Sequence, residues 1–326
     1  MIHEIVPGFY RAEIPLPDTQ LRHVNSYIIK GKRRSLIVDA GWYDEKCLVA
    51  MKEILKKLAI DPDEADFFIT HHHIDHIGLV FLFANVKSTI FMAEPEGGRV
   101  RDIASGRLSG EVKDFSLASG FPDLNPDHIV PPEVVEWYGA KTSLTVRYVG
   151  DGDSLQIGEY HFACVATPGH SPGHMCLYEP EKRLLIAGDH LLGDITPSIQ
   201  ARLDGRNPLK EYLASLKKIA GLDIKMVLPG HRMVFDKHRE RISQIEEHHR
   251  HRNNEVIHLL QESNKNAYEV ASRMSWNIGS DSWGSFPIIH SFFATGEAFA
   301  HLTYLEDGGD VRRDMKGPLA LFSLVK

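Results

Sequence analysis

One stretch of the 326-residue chain concentrates metal-ligating side chains: Thr70-His71-His72-His73-Ile74-Asp75-His76. Residues 67–70 (Phe-Phe-Ile-Thr) read as a short buried strand, an apolar run bounded by a change in composition. His71 and His73 stand two apart in the turn that leaves this strand, so both imidazoles can point the same way. Asp75 and His76 open an expected helix over 77–83, whose first turn leaves backbone N–H groups free. Two imidazoles plus an Asp-His pair exceed what one ion needs. Neutral imidazole and carboxylate suit zinc first, with iron and manganese as the other ions such donors serve. A histidine run left by a purification tag stands at a terminus beside flexible residues; this one follows a buried strand.

Further donors lie downstream in three short motifs: Thr167-Pro168-Gly169-His170-Ser171-Pro172-Gly173-His174, Ala187-Gly188-Asp189 and Leu228-Pro229-Gly230-His231. Taken in order with Thr70 to His76, they resemble the four metal motifs of the metallo-β-lactamase superfamily, of the glyoxalase II-like kind. The resemblance covers roughly residues 1–235. It implies an α/β fold, the αββα sandwich, and two divalent metal ions. His71, His73 and His170 would hold one ion, Asp75, His76 and His231 the second, and Asp189 would bridge both. Two ions roughly 3.5–4 Å apart share a hydroxide whose pKa is brought near 7. The implied activity is hydrolysis of a small ester, thioester or lactone by attack of that metal-bound hydroxide, with Asp75 both a ligand and the residue that orients it.

His174 and His190 lie within a few residues of ligands and are candidates to donate to a substrate oxygen; the competing reading is a satisfied structural histidine. Asp39, at the end of the expected strand 35–40, would orient a ligand imidazole through its second ring nitrogen. His73 stands where diiron flavoproteins of the superfamily carry a Glu, which disfavours redox chemistry. The alternative activity is a phosphodiesterase, in particular a single-strand ribonuclease, because some ribonucleases of the superfamily join the same catalytic fold to a small winged-helix-like tail.

The bulk numbers narrow the partners. A net charge of −7 gives no general attraction to phosphate backbones or anionic lipid, so the expected partner is a small-molecule substrate rather than nucleic acid. No run of 18 apolar residues predicts a membrane span, and the first residues lack the basic and apolar regions of a signal peptide. Cys47, Cys164 and Cys176 are scattered, without a C-x-x-C, and read as reduced thiols filling the core of a cytoplasmic protein. No nucleophile elbow, Walker loop or dinucleotide fingerprint occurs.

The donors need a scaffold, and strand and helix periods alternate along the first 93 residues, the mark of an α/β fold. The expected catalytic domain runs over 1–235, with a Gly- and Pro-rich insertion at about 94–142 that could fold over the metal site. Phe115, Phe121, Trp137 and Tyr138 are its candidates to line a substrate pocket. Residues 236–326 read as a mainly helical, winged-helix-like domain ending in a hairpin. The five histidines of its long helix over 237–262 (His238, His248, His249, His251 and His258) are expected to be solvated. Residues 237–326 hold 11 Lys+Arg against 12 Asp+Glu, so the tail is expected to serve as a structural wall or a homodimer contact rather than to bind DNA.

Overall fold

Continuous apolar runs such as Ser35–Val38 and Leu184–Gly188 have no polar face to turn to water, and both become strands buried along their whole length. The computed structural model describes residues 1–17, 21–122, 124–129, 132–139, 144–276 and 283–325. Among these, one sheet holds β1 (Ile2–Val6), β2 (Phe9–Pro15), β3 (His23–Ile29), β4 (Ser35–Val38), β5 (Ala65–Phe68), β6 (Thr89–Met92) and β7 (Thr145–Tyr148), side by side in that order. Its first four strands pair antiparallel, and β4 to β7 pair parallel. A second sheet holds β8 (Ser154–Ile157), β9 (Tyr160–Ala166), β10 (Met175–Glu179), β11 (Leu184–Gly188) and β12 (Met226–Pro229). It is antiparallel except for the parallel pair β11 and β12.

One core joins the two sheets, with Phe9, Tyr27 and Phe68 of the first packed among Phe162, Leu177 and Ile186 of the second. Each such side chain contributes roughly 1.5–3 kcal/mol through burial. The arrangement is the expected sandwich. Of the helices, α1 (Glu45–Lys57) packs against β2 through Met51, Ile54 and Leu55, and Asp44 caps its first turn by accepting the Lys46 and Cys47 N–H groups. The others are α2 (Ile74–Ile77), α3 (Val80–Phe83), α4 (Glu94–Ala104), α5 (Arg107–Ser119), α6 (Pro132–Gly139), α7 (Pro208–Ala220), α8 (His238–Glu262), α9 (Ala267–Ala271) and α10 (Ile288–Asp307). A hairpin of β13 (Val311–Lys316) and β14 (Leu319–Leu324) follows. No helix among the described residues is long and apolar enough to cross a membrane.

The chain divides into two compact units, residues 1–101, 138–197 and 215–242 in one, residues 102–137, 198–214 and 243–326 in the other. The sandwich lies wholly in the first. The second counts most of the insertion with the tail, and its aromatic core shows why. Phe115 packs on Phe292 and Phe299, with ring centroids 5.4 and 5.6 Å away, and Phe121 on Tyr268 and Phe292, both at 5.4 Å. Phe115 and Phe121, candidates to line a substrate pocket, are therefore core residues of this unit. The side chain of Trp137 lies outside the described residues.

The histidines of α8 also depart from expectation. His238, Ile242, Ile245, His249, Arg252, Val256 and Leu259 recur at spacings of four and three, and all seven are buried. His238 and His249 thus sit on the apolar stripe, whereas His251 and His258 are exposed. His249, 1% exposed, places its Nδ1 3.4 Å from His301 Nε2, and His301 Nδ1 donates to Asn253 Oδ1 at 2.6 Å.

Candidate metal centre

Parallel neighbours in a sheet end on the same side, and loops leaving those ends are where a rigid scaffold presents chemistry. Asp39 follows β4, and His71 and His73 follow its parallel neighbour β5. Asp189 follows β11, and His231 follows its parallel neighbour β12. His170 lies in the loop from β9 to β10. Backbone bonds tie these exits together: Met175 N donates to Thr70 O at 3.0 Å, Gly230 N to Gly188 O at 2.7 Å, and Asn25 N to Gly230 O at 2.7 Å. The close approach needs glycine. A Cβ on Gly230 would stand 2.4 Å from Asp189 Oδ1 and 2.9 Å from His76 Cε1, and Gly188 adopts φ +47° with its Cβ position 2.7 Å from His174 Nε2.

The structure gathers all seven candidate ligands. The donor atoms of His71, His73 and His170 form one group able to hold an ion, and those of Asp75, His76 and His231 another. His71 Nε2 and His170 Nε2 stand 3.0 and 3.1 Å from His73 Nδ1. Asp189 lies between the groups, Oδ1 3.5 Å from His76 Nε2, and Oδ2 3.4 Å from His231 Nε2 and 3.8 Å from His170 Nε2. Asp75 Oδ2 is 3.3 Å from His231 Nε2 and 3.8 Å from His76 Nε2.

The separations between the carboxylates and the imidazoles are long for hydrogen bonds. His76 Nε2, His231 Nε2 and Asp189 Oδ1 are buried with no hydrogen-bond partner among the described residues. Buried polar atoms are normally satisfied, so a converging set of orphaned donors fits divalent cations. The donor chemistry agrees, five imidazoles and two carboxylates being hard-to-borderline ligands suited to zinc, iron or manganese.

The electrostatics divide the site. Burial and the neighbouring imidazoles hold His71 and His73 well below the usual histidine range, so they stand ready as neutral ligands. Burial also opposes charge on His76 and His231, but Asp189, Asp39 and Asp75 outweigh it at His76, raising it well above its ordinary value, and Asp189 and Asp75 push His231 up to about 10. Asp75 and Asp189 are held below the carboxylate range by the same pairs despite their burial.

A supporting layer fixes the ligands from behind. Asp39 Oδ2 accepts from His76 Nδ1 and from Thr70 Oγ1, both at 2.7 Å, and Oδ1 accepts Thr70 N–H at 2.9 Å, the orienting contact expected of it. His231 Nδ1 donates to His23 O at 2.9 Å. His174 Nδ1 donates to Thr167 Oγ1 at 2.8 Å, and its Nε2 accepts the N–H of Asp189 at 3.2 Å. Burial, then His170, pushes His174 down to about 3. His190 is fully buried, and burial holds it well below the histidine range.

Glu96 and His72 belong to this layer and have no signal in the sequence, where Pro95-Glu96-Gly97-Gly98 resembles an ordinary loop. Glu96 Oε2 accepts from His72 N at 2.8 Å and His72 Nδ1 at 2.5 Å, and Oε1 accepts from Ser171 Oγ at 2.7 Å and Gly173 N at 2.5 Å. Burial works against its charge, yet His72 and these hydrogen bonds outweigh it and hold Glu96 well below the carboxylate range. Tyr138 Oη, one of the insertion's candidate aromatics, donates to His72 O at 3.1 Å.

Residues 19–231 match the family model described as the metallo-beta-lactamase superfamily. A beta-lactamase-like protein 2 homolog of Caenorhabditis elegans is 35% identical over 116 residues, 36% of this chain and 37% of that protein. An atrochrysone carboxyl ACP thioesterase of Aspergillus fumigatus is 26% identical over 244 residues, 74% of this chain and 61% of that protein. The chain thus spans less than two thirds of the length of these two relatives. A metallo-beta-lactamase family protein of Thermus thermophilus superposes with a TM-score of 0.83 at 26% identity, covering 99% of this chain and 100% of that one.

Proposed function

The chain belongs to the metallo-β-lactamase superfamily, and on that premise we propose that it is a binuclear metal-dependent hydrolase of a small acyl thioester. The carrying observation is the pair of three-residue donor groups on either side of Asp189, in which His76 Nε2, His231 Nε2 and Asp189 Oδ1 are buried with no hydrogen-bond partner among the described residues. His71, His73 and His170 would hold one ion, and Asp75, His76 and His231 the other, with Asp189 lying between the two groups. When bound, such a pair supplies a water activated near neutral pH and positive charge for the carbonyl oxygen that becomes negative.

The chain's own groups do the rest. The Asp75 side chain is 18% exposed, against 0% for His76 and His231, so it is the most accessible member of the second group. Its carboxylate orients the attacking water and takes up its proton. His174 and His190 serve as buried supports, His174 by holding the amide of Asp189. The thioester choice draws on the fungal relative's name, and simple esters and lactones are the acyl substrates to compare with it. A phosphodiester substrate draws support only from the tail, where three helices and a hairpin favour the winged-helix-like reading but the net charge of −1 offers nothing to a nucleic acid.

The test is turnover of acyl thioesters, esters and lactones by purified, metal-analysed protein. Asp75→Asn is expected to lower kcat at least about 1000-fold while the circular dichroism spectrum is kept. Unchanged turnover in that variant would sink the proposal.

A further inference from the structure

We propose that Glu96 is a positioning residue of the metal centre: its one carboxylate sets the separation of the loop bearing His71 and His73 from the loop bearing His170. The proposal rests on the reading that these three histidines hold an ion.

Each oxygen of Glu96 serves one loop. Oε2 takes the backbone N–H and the ring Nδ1 of His72, the residue between the two ligands. Oε1 takes Ser171 Oγ and Gly173 N, just beyond His170. A carboxylate has about four acceptor positions, and four donors fill them, so the group has no freedom to turn. Glu96 is 0% exposed, and the four contacts reach the residues beside the three ligands. It therefore acts through the loops.

The surroundings make the clamp rigid. Tyr138 Oη holds His72 from its carbonyl side. A Cβ on Gly173 would lie 3.0 Å from Pro95 Cβ and 3.1 Å from Glu96 Oε1, so a side chain there would press the loop and the carboxylate apart by a few tenths of an ångström. All four partners donate, which selects a carboxylate over an amide. In Glu96→Gln one NH2 must face an N–H or hydroxyl donor, and a buried donor loses its acceptor.

The experiment is a stepwise zinc titration of the full chain stripped by chelator, read by competition with a chromogenic chelator, with cobalt absorption as a coordination readout. His170→Ala identifies which binding step belongs to the His71, His73 and His170 group. Glu96→Gln is expected to weaken that step about 10- to 100-fold, to leave the other step within about twofold, and to alter the cobalt spectrum. Its kcat falls at limiting zinc with little change in KM, and excess zinc restores it. Glu96→Asp, which keeps the charge on a shorter stem, recovers part of the loss. Ser171→Ala removes one of four donors and lowers the same step several-fold, which keeps the test open should Glu96→Gln fold poorly. Wild-type affinities at both steps in Glu96→Gln, or in Ser171→Ala where the first does not fold, would overturn the proposal, even with a lower Tm. A wild-type protein that binds two ions without cleaving thioesters would sink the substrate reading alone, whereas one that binds no ion would overturn both.

Discussion

At the scale of single residues, the centre depends on carboxylates that touch no reacting atom. Asp39 is 2% exposed, adopts φ +53°, and joins β4 to the ligand turn through three hydrogen bonds. A left-handed backbone in a residue other than glycine is uncommon and is tolerated most readily by Asp and Asn. Its carboxylate accepts from His76 Nδ1 and so leaves Nε2 as the ring nitrogen available to a metal ion. Asp39→Asn keeps the backbone conformation accessible but replaces one accepting oxygen with a donor. It is expected to lower metal affinity about 10- to 100-fold, measured by chelator competition, with the fold kept.

At the scale of elements, strand exits set the spacing of the donors. The ends of β11 and β12 are held together by Gly230 N–H to Gly188 O, and there is no room for a methyl group at 230. Gly230→Ala is expected to push Asp189 away from His76 and to cut turnover at least about 100-fold at fixed zinc. Gly110→Ala, where a Cβ meets nothing within 4 Å on α5, is the control and is expected to be neutral or to add about 0.5–1 kcal/mol of stability. On α8, burial pushes His249 down to about 3. Below its ordinary value of about 6.5, the unfolded chain takes a proton that the folded chain refuses. Stability is therefore lost as pH falls from 6.5 towards 3, by at most about 1.4 kcal/mol per pH unit for this group. His249→Gln is expected to flatten that slope in urea melts run between pH 7 and pH 4.

At the scale of the whole molecule, the chain builds two cores. The sandwich of the first unit carries every candidate ligand, and the second is built round the aromatic rings of Phe115, Phe121, Phe292 and Phe299. Phe115→Ala leaves a cavity among those rings and is expected to cost about 3–5 kcal/mol, seen as an earlier unfolding transition. Two-metal binding by the variant at low temperature should match the wild type, because no ligand belongs to that unit. A loss of metal in Phe115→Ala would instead mean that the stability of one unit depends on the other.

The sequence alone determined the set of candidate donors and most of the scaffold. Ligand type is a property of the side chain, and the His71, His73, Asp75 and His76 cluster is local, so donor identity and spacing are legible before any folding. Strand and helix periods are local too, which is why the α/β alternation and the long α8 could be read along the chain, whereas the sandwich followed from the family resemblance. Tertiary structure decided what depends on packing between distant segments. Glu96 meets His72 and Ser171 across 24 and 75 positions, and Asp39 meets His76 across 37. Nothing about an isolated acid says which donors will surround it. Likewise, His249 could be placed on the buried stripe of α8 only once the helix had a neighbour to bury it, and Phe115 could be assigned to a core only once α10 was seen packed against it. The separation reflects the physics: donor chemistry and backbone periodicity act within a few residues, whereas burial and hydrogen-bond partnership are set by the whole packed chain.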